Sequence, residues 1–333
     1  MRKFGRFGSI AAAALVVVVL GVACSSKKST SGGTQLSGKV VVSGSSTVQP
    51  ISSLVAEEFS SENPGVSIKV DGPGTGDGFA LFCKGETDIS DASRPIKDEE
   101  KAACQQAGIN FVELKIGLDG ITVMTNPANS AVSCLTKADL YALVGPESTG
   151  FKRWSDANTL DKELGGKGTF PNLPLDITAP GEESGTYDAF IELALKSIAD
   201  ERGKDDASTR PDYQSSGNDN VIIQGIEGSP SSFGWVGYAY AEENATGVKL
   251  LPVDGGKGCV APNRQTIADG TYPLSRALYV YVNTARAKAN PAVKAYVDFY
   301  MQNLGRDVAD AGYIDLPKDQ IQATQQAWTS AGI

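Results

Sequence analysis

Three short Ser/Thr/Gly turns, each following an apolar, β-like run and leading into what reads as a helix, constrain this chain more than any other feature. They are Ser43-Gly44-Ser45-Ser46-Thr47, Gly72-Pro73-Gly74-Thr75-Gly76-Asp77-Gly78 and Glu182-Glu183-Ser184-Gly185-Thr186. Strand, turn and helix in that order build an open α/β sheet, whose ligands lie beyond the carboxyl ends of the strands. A helix start leaves its first N–H groups without partners and carries roughly half a positive charge. Hydroxyls and glycines at that point let a small anion approach the backbone. Three such turns together suggest one pocket built for an oxyanion.

Periodicity supplies the rest of the frame. Val40-Val41-Val42 reads as a buried strand, and Ile51, Leu54, Val55, Glu58 and Phe59 share one face of a helix over Pro50–Phe59. Further strands are expected at Val66–Val70, from Thr87, at Leu173–Ile177 and at Leu278–Val282. Helices are expected over Lys97–Ala107, Tyr187–Ile198 (Ser184 as its N-cap) and Val293–Leu304. Phe111–Met124 reads as two β-like runs broken by Gly117 and Gly120.

The beginning of the chain reads as an address. Arg2, Lys3 and Arg6 precede an apolar run from Ile10 to Ala23, roughly 14 residues where about 20 are needed to span a bilayer. Residues 1–23 therefore read as a signal peptide. Leu20-Gly21-Val22-Ala23-Cys24 and the Ser/Lys/Gly-rich stretch after it resemble the processing site of a bacterial lipoprotein. That makes Cys24 a lipid-anchor residue at the head of a flexible tether, 24–36; the alternative is a plain cleaved signal. In an exported chain the remaining Cys83, Cys104, Cys134 and Cys259 favour two disulfides over metal ligands. Of three connectivities we take Cys83–Cys104 with Cys134–Cys259, a choice the sequence alone leaves open. A net charge of −9 argues against nucleic acid or an anionic membrane surface as partner. It does not argue against a small anion held by oriented N–H groups and a buried guanidinium.

Each candidate residue has a plainer reading beside the functional one. Ser45, Ser46, Thr47 and Thr75 can be helix caps, although Gly74, Gly76 and Gly78 exceed what a cap requires. Ser184 as a nucleophile fails because the chain has no histidine to take its proton, so no catalytic residue, cofactor or metal is expected. Arg94, at the end of a strand, offers a planar fork matched to an oxyanion; the competing reading pairs it with Asp91 or Asp88. Arg276 is read as a structural ion pair. Asp77 either caps the helix from Gly78 or accepts a proton from an anion that still carries one at neutral pH. Such an acceptor rejects a fully deprotonated anion, which would leave it unpaired.

With these residues in view, the chain resembles the substrate-binding proteins of bacterial phosphate ABC importers from about Ser37 onward. The resemblance rests on Gly44-Ser45-Ser46-Thr47-Val48, Gly74-Thr75-Gly76-Asp77-Gly78, Ala92-Ser93-Arg94-Pro95 and Ser184-Gly185-Thr186. Asn218-Asp219-Asn220, Gly234-Trp235-Val236-Gly237-Tyr238 and Tyr272-Pro273-Leu274-Ser275-Arg276 add to it. It implies a type II periplasmic-binding-protein fold, in which two α/β lobes are joined by two crossover strands with the ligand cleft between. Lobe 1 would comprise 37–124 and 276–333, lobe 2 125–275. It further implies that inorganic phosphate is held by Ser46, Thr47, Thr75, Gly76, Asp77, Arg94, Ser184, Gly185 and Thr186. A monomer, tethered to the outer face of the membrane, would then deliver it to permease subunits. Two departures stand out. Pro180 occupies the place of an arginine, and Arg94 that of an aspartate, so Arg94 is expected to supply the missing cation and Asp77 the acceptor. The alternatives are another oxyanion, sulfate or molybdate, or a surface sensor or adhesin that reuses the fold.

Overall fold

The computed structural model describes residues 36–182, 184–204 and 207–333. The signal peptide, Cys24 and all of the tether but Leu36 lie outside them.

Three strands, each followed by a turn and a helix, open the chain. β1 (Gly38–Gly44) leads to α1 (Gln49–Glu62), β2 (Val66–Asp71) to α2 (Thr75–Phe82), and β3 (Ile89–Ala92) to α3 (Asp98–Gln106). The strands are parallel in the order β2-β1-β3, so the turns after them leave from one edge of the sheet. Pro50 in the first turn of α1 presets a helical φ, and Ile51, Val55 and Phe59 bury its inner face. Phe59 meets the ring of Tyr296 edge-on at 5.7 Å, which ties α1 to the helix Pro291–Asp310.

β4 (Phe111–Thr125) is one continuous strand of 15 residues, where two runs were expected. Gly117 and Gly120 do not break it. A side chain at Gly117 would crowd Val308, and one at Gly120 would crowd Ile267, each at 2.9 Å, so packing explains both glycines. β4 changes partner midway. Phe111–Gly120 pairs with the strand Ser275–Asn283, and Ile121–Thr125 with the strand Ser232–Gly237. The sheet continues through Asp176–Ala179 to Gln214–Ser215.

Two large apolar cores follow from this handover. One gathers Val40, Val42, Val55, Phe59, Leu114 and Val280; the other gathers Ile121, Val123, Trp154, Phe190 and Trp235. The ring of Phe190 stacks on that of Trp235 at 4.1 Å. Cys83 is bonded to Cys104 and Cys134 to Cys259, the connectivity taken from the sequence. Among the described residues, no helix is long and apolar enough to cross a membrane.

Candidate functional site

The first turn spends much of its backbone on itself. Ser45 N–H donates to the Asp91 carbonyl at 2.9 Å, and the Ser45 carbonyl accepts from the N–H groups of Val48 and Gln49. Ser45 Oγ accepts from Thr47 N–H at 3.2 Å. Ser45 therefore closes the turn that leads into α1, while the next two hydroxyls reach across to other parts of the chain. Ser46 Oγ donates to Asp188 Oδ2 at 3.3 Å. Thr47 Oγ1 accepts from Arg276 Nη2 at 2.8 Å.

The second turn is shaped by its glycines. Gly74 has φ +118°, a conformation that disfavours a side chain, and its N–H donates to the Gly44 carbonyl at 2.8 Å. Gly78 lies so close to Gly44 that a Cβ would strike the neighbouring backbone. At Gly76 nothing stands within 4 Å of where a Cβ would be. Thr75 Oγ1 accepts from Ser93 N–H at 3.2 Å and shares a hydrogen bond with Ser93 Oγ. This joins the start of α2 to the turn after β3.

In the third turn Ser184 Oγ accepts from Thr186 N–H at 3.1 Å, the expected cap. The helix it starts runs as α-helix over Gly185–Phe190, π-helix over Ile191–Leu195 and α-helix over Lys196–Glu201. Asp188 and Glu192 follow the cap by one and two turns.

The candidates divide between two neighbouring cavities. One of about 510 Å³ is lined by Ser46, Thr75, Gly76 and Arg94 on one wall and by Asp188 and Glu192 on the other. The second, about 360 Å³, is lined by Thr47, Asp119 and Tyr313 together with Gly185 and Thr186. Ser184 and Asp77 line neither. A larger cavity of about 680 Å³ lies elsewhere, between Leu175–Thr178 and Arg210–Gln214. None of the described turn residues reaches it.

Two expectations need correction. Arg94 lines the first cavity, but its fork is taken: Nη1 and Nη2 donate to the two carboxylate oxygens of Glu100 at 2.8 and 2.7 Å. The guanidinium also stands 5.6 Å over the ring of Phe79. The Glu100 bonds raise the Arg94 pKa, with burial opposing them. It is thus an ion pair, formed with Glu100 rather than with Asp91 or Asp88. Asp77 sits in the first turn of α2, exposed and lining neither cavity, which favours Asp188 as the acceptor. The Asp77 carboxylate favours the helix dipole instead.

A buried cation, Arg276, bonds to residues that line both cavities. Cα pairing across the sheet sets Arg276 against Asp119 at the point where β4 changes partner. Nε donates to Asp119 Oδ2 at 3.1 Å, Nη2 to Thr47 Oγ1, and Nη1 to Glu192 Oε2. Its side chain is only 7% exposed. Burial alone would lower its pKa, but Asp119 and Glu192 hold it above the ordinary value. The expected ion pair is present, and it also binds the first turn to the third-turn helix. Asp188 beside it has a raised pKa through burial, opposed by Ser46 and Arg276.

Sequence reading missed Asp119, Asp188 and Glu192 as site residues. Asp188 and Glu192 carried a signal, since acids four apart just after a Ser-Gly-Thr cap share a helix face. Asp119 carried none, because cross-strand register is not visible in the chain. Among the described residues no group of three or more His, Cys, Asp or Glu side chains is arranged to hold a metal.

The profile of the PBP superfamily domain matches residues 29–303. Protein SphX of Synechocystis sp. is 39% identical over 288 residues, 86% of this chain and 80% of that protein. The phosphate-binding protein PstS of Staphylococcus saprophyticus is 34% identical over 320 residues, 96% of this chain and 92% of that protein. The crystal structure of a possible phosphate-binding protein from Planctomyces limnophilus superimposes with a TM-score of 0.80 at 36% identity. That superposition covers 89% of this chain and 99% of the other.

Proposed function

The chain belongs to the PBP superfamily, in the family that holds PstS and SphX, and from that membership we propose that it is a phosphate receptor. It binds inorganic phosphate outside the cytoplasmic membrane, in the cleft of a type II periplasmic-binding fold, and delivers it to the permease of an ABC importer. The observation that carries this reading is Arg276. A buried guanidinium sits where the two halves of the sheet meet, bonded to the first turn and to the third-turn helix.

We place phosphate against Ser46, Thr47, Gly185, Thr186 and Arg276, with Thr75 and Gly76 on the adjoining wall. Hydroxyls and a planar fork suit tetrahedral oxyanion oxygens. Asp188 takes the role first given to Asp77. Its carboxylate, on the wall of the first cavity, accepts the proton of HPO₄²⁻, and sulfate, which has none to offer, leaves it facing a repulsive charge. The lobes are 37–124 with 276–333, and 125–275. The partner change in β4 at Gly120 and Ile121 supports that division. Closure of the lobes around the ion presents a bound form to the permease. Phosphate enters and leaves unchanged, so the protein is a receptor and not an enzyme. We further propose that the mature chain is a monomer held to the membrane by lipid on Cys24.

Calorimetric titration with phosphate, sulfate and molybdate between pH 6 and 8 tests the reading. Saturable phosphate binding with little sulfate heat is expected. Equal affinity for sulfate removes the Asp188 argument, and no phosphate binding removes the function.

A further inference from the structure

We propose that Glu192 is an internal competitor for phosphate: its carboxylate occupies Arg276 when the cleft holds no anion, and phosphate must displace it. This rests on the phosphate-receptor reading above.

The argument begins with the donors. Arg276 has three of its nitrogens engaged, by Asp119, Thr47 and Glu192. Asp119 is its cross-strand partner, as buried as the arginine itself, and belongs to the permanent frame. Glu192 differs in each respect. It comes from the opposite wall of the first cavity, and its side chain is 43% exposed. It also sits in the π-helical turn Ile191–Leu195, an irregularity frequent at functional positions. A half-exposed carboxylate on a buried guanidinium is a replaceable ligand, and its oxygens ask of that fork what a phosphate oxygen asks.

Charge makes the exchange necessary. Arg276 already carries two carboxylates, so the trio of Asp119, Glu192 and Arg276 is net negative while both acids are ionised. A doubly charged anion brought to the same guanidinium repels an ionised Glu192 a few ångströms away. Asp188 is near enough that Glu192 helps to raise its pKa, burial being the larger cause. The exposed Glu192 has water to move into, whereas Asp119 does not. Because Glu192 bridges to the other wall, its contact also draws the two walls together. Affinity is lowered by the fraction of molecules in which the fork is occupied.

The test compares wild type with Glu192→Gln and Glu192→Ala by phosphate calorimetry, and measures ligand-free compactness by small-angle scattering. Circular dichroism checks the fold of each variant. The expected result is that both variants bind phosphate at least fivefold more tightly and that their ligand-free forms are more expanded than wild type. Unchanged or weaker binding in the two variants overturns the inference, since Glu192 then positions Arg276 or contacts phosphate itself. If wild type binds no phosphate, the receptor reading fails and displacement by phosphate fails with it. Scattering then judges the bridging contact alone: expansion in the variants upholds it, and identical profiles overturn it.

Discussion

Arg94 and Arg276 each follow a serine, one just past the end of β3 and the other at the start of the strand Ser275–Asn283, yet the chain uses them in opposite ways. Arg94 pairs with Glu100, six residues along, at the start of the helix that follows its own turn. The pair is made within one strand-turn-helix unit and does not depend on the rest of the molecule. Arg276 is bonded to residues 157, 229 and 84 positions away. Its contacts exist only when the sheet is assembled and its two walls face each other. A local ion pair fixes a turn; a long-range one reports and controls the relation between two halves.

Removing Arg276 should therefore cost most. Arg276→Ala leaves Asp119 buried without its cation, and breaking a buried pair costs about 3–5 kcal/mol. Urea unfolding should register that loss, and calorimetry should register at least a hundredfold loss of phosphate affinity. Next comes the disulfide that braces the Arg94 region, which closes a separation of 21 residues. The double variant Cys83→Ser with Cys104→Ser should lose roughly 3 kcal/mol of stability yet keep phosphate affinity within about threefold. A large loss of affinity there would erase the contrast between the two arginines.

Asp91 lies where the two regions meet: its carbonyl holds Ser45, and its carboxyl accepts from Ser52 Oγ at 3.0 Å. It is fully buried, and burial pushes its pKa up from 3.8 to about 7, with the Ser52 bond opposing. The folded form thus holds this proton more tightly than the unfolded chain does. The contribution to stability is fullest below about pH 4 and falls as pH rises toward 7. Asp91→Asn abolishes that titration, so its unfolding free energy relative to wild type should increase between pH 5 and pH 8 by about 2 kcal/mol. A constant difference across that range would place the group's titration elsewhere. The smallest effect belongs to Arg94 itself. Arg94→Ala should leave phosphate affinity within about threefold, well under the 1.4 kcal/mol of a tenfold change.

The contrast also explains what the chain discloses when read as a string. The three turns, the Ser184 cap and the strand-turn-helix order are local, and each was legible because its causes lie within a few residues. The partner of Arg94 was within reach too. Glu100 also accepts from Lys97 N–H at 2.9 Å, and a carboxylate at that spacing could have been weighed against Asp91. The cation of the cleft was not legible as such. Arg276 meets Asp119 through strand register and meets Thr47 and Glu192 through packing of the two walls, neither of which leaves a periodic trace. Gly117 and Gly120 misled for a related reason. Their cause is a neighbouring side chain from far along the sequence, whereas sequence reading credits glycine to the local turn.

The most direct measurement is a calorimetric titration of inorganic phosphate into the full-length mature chain beside Arg276→Ala, with circular dichroism to verify that both are folded. One site that saturates in wild type and loses at least a hundredfold in affinity without the guanidinium is the predicted result. Equal phosphate affinity in the two proteins would contradict it.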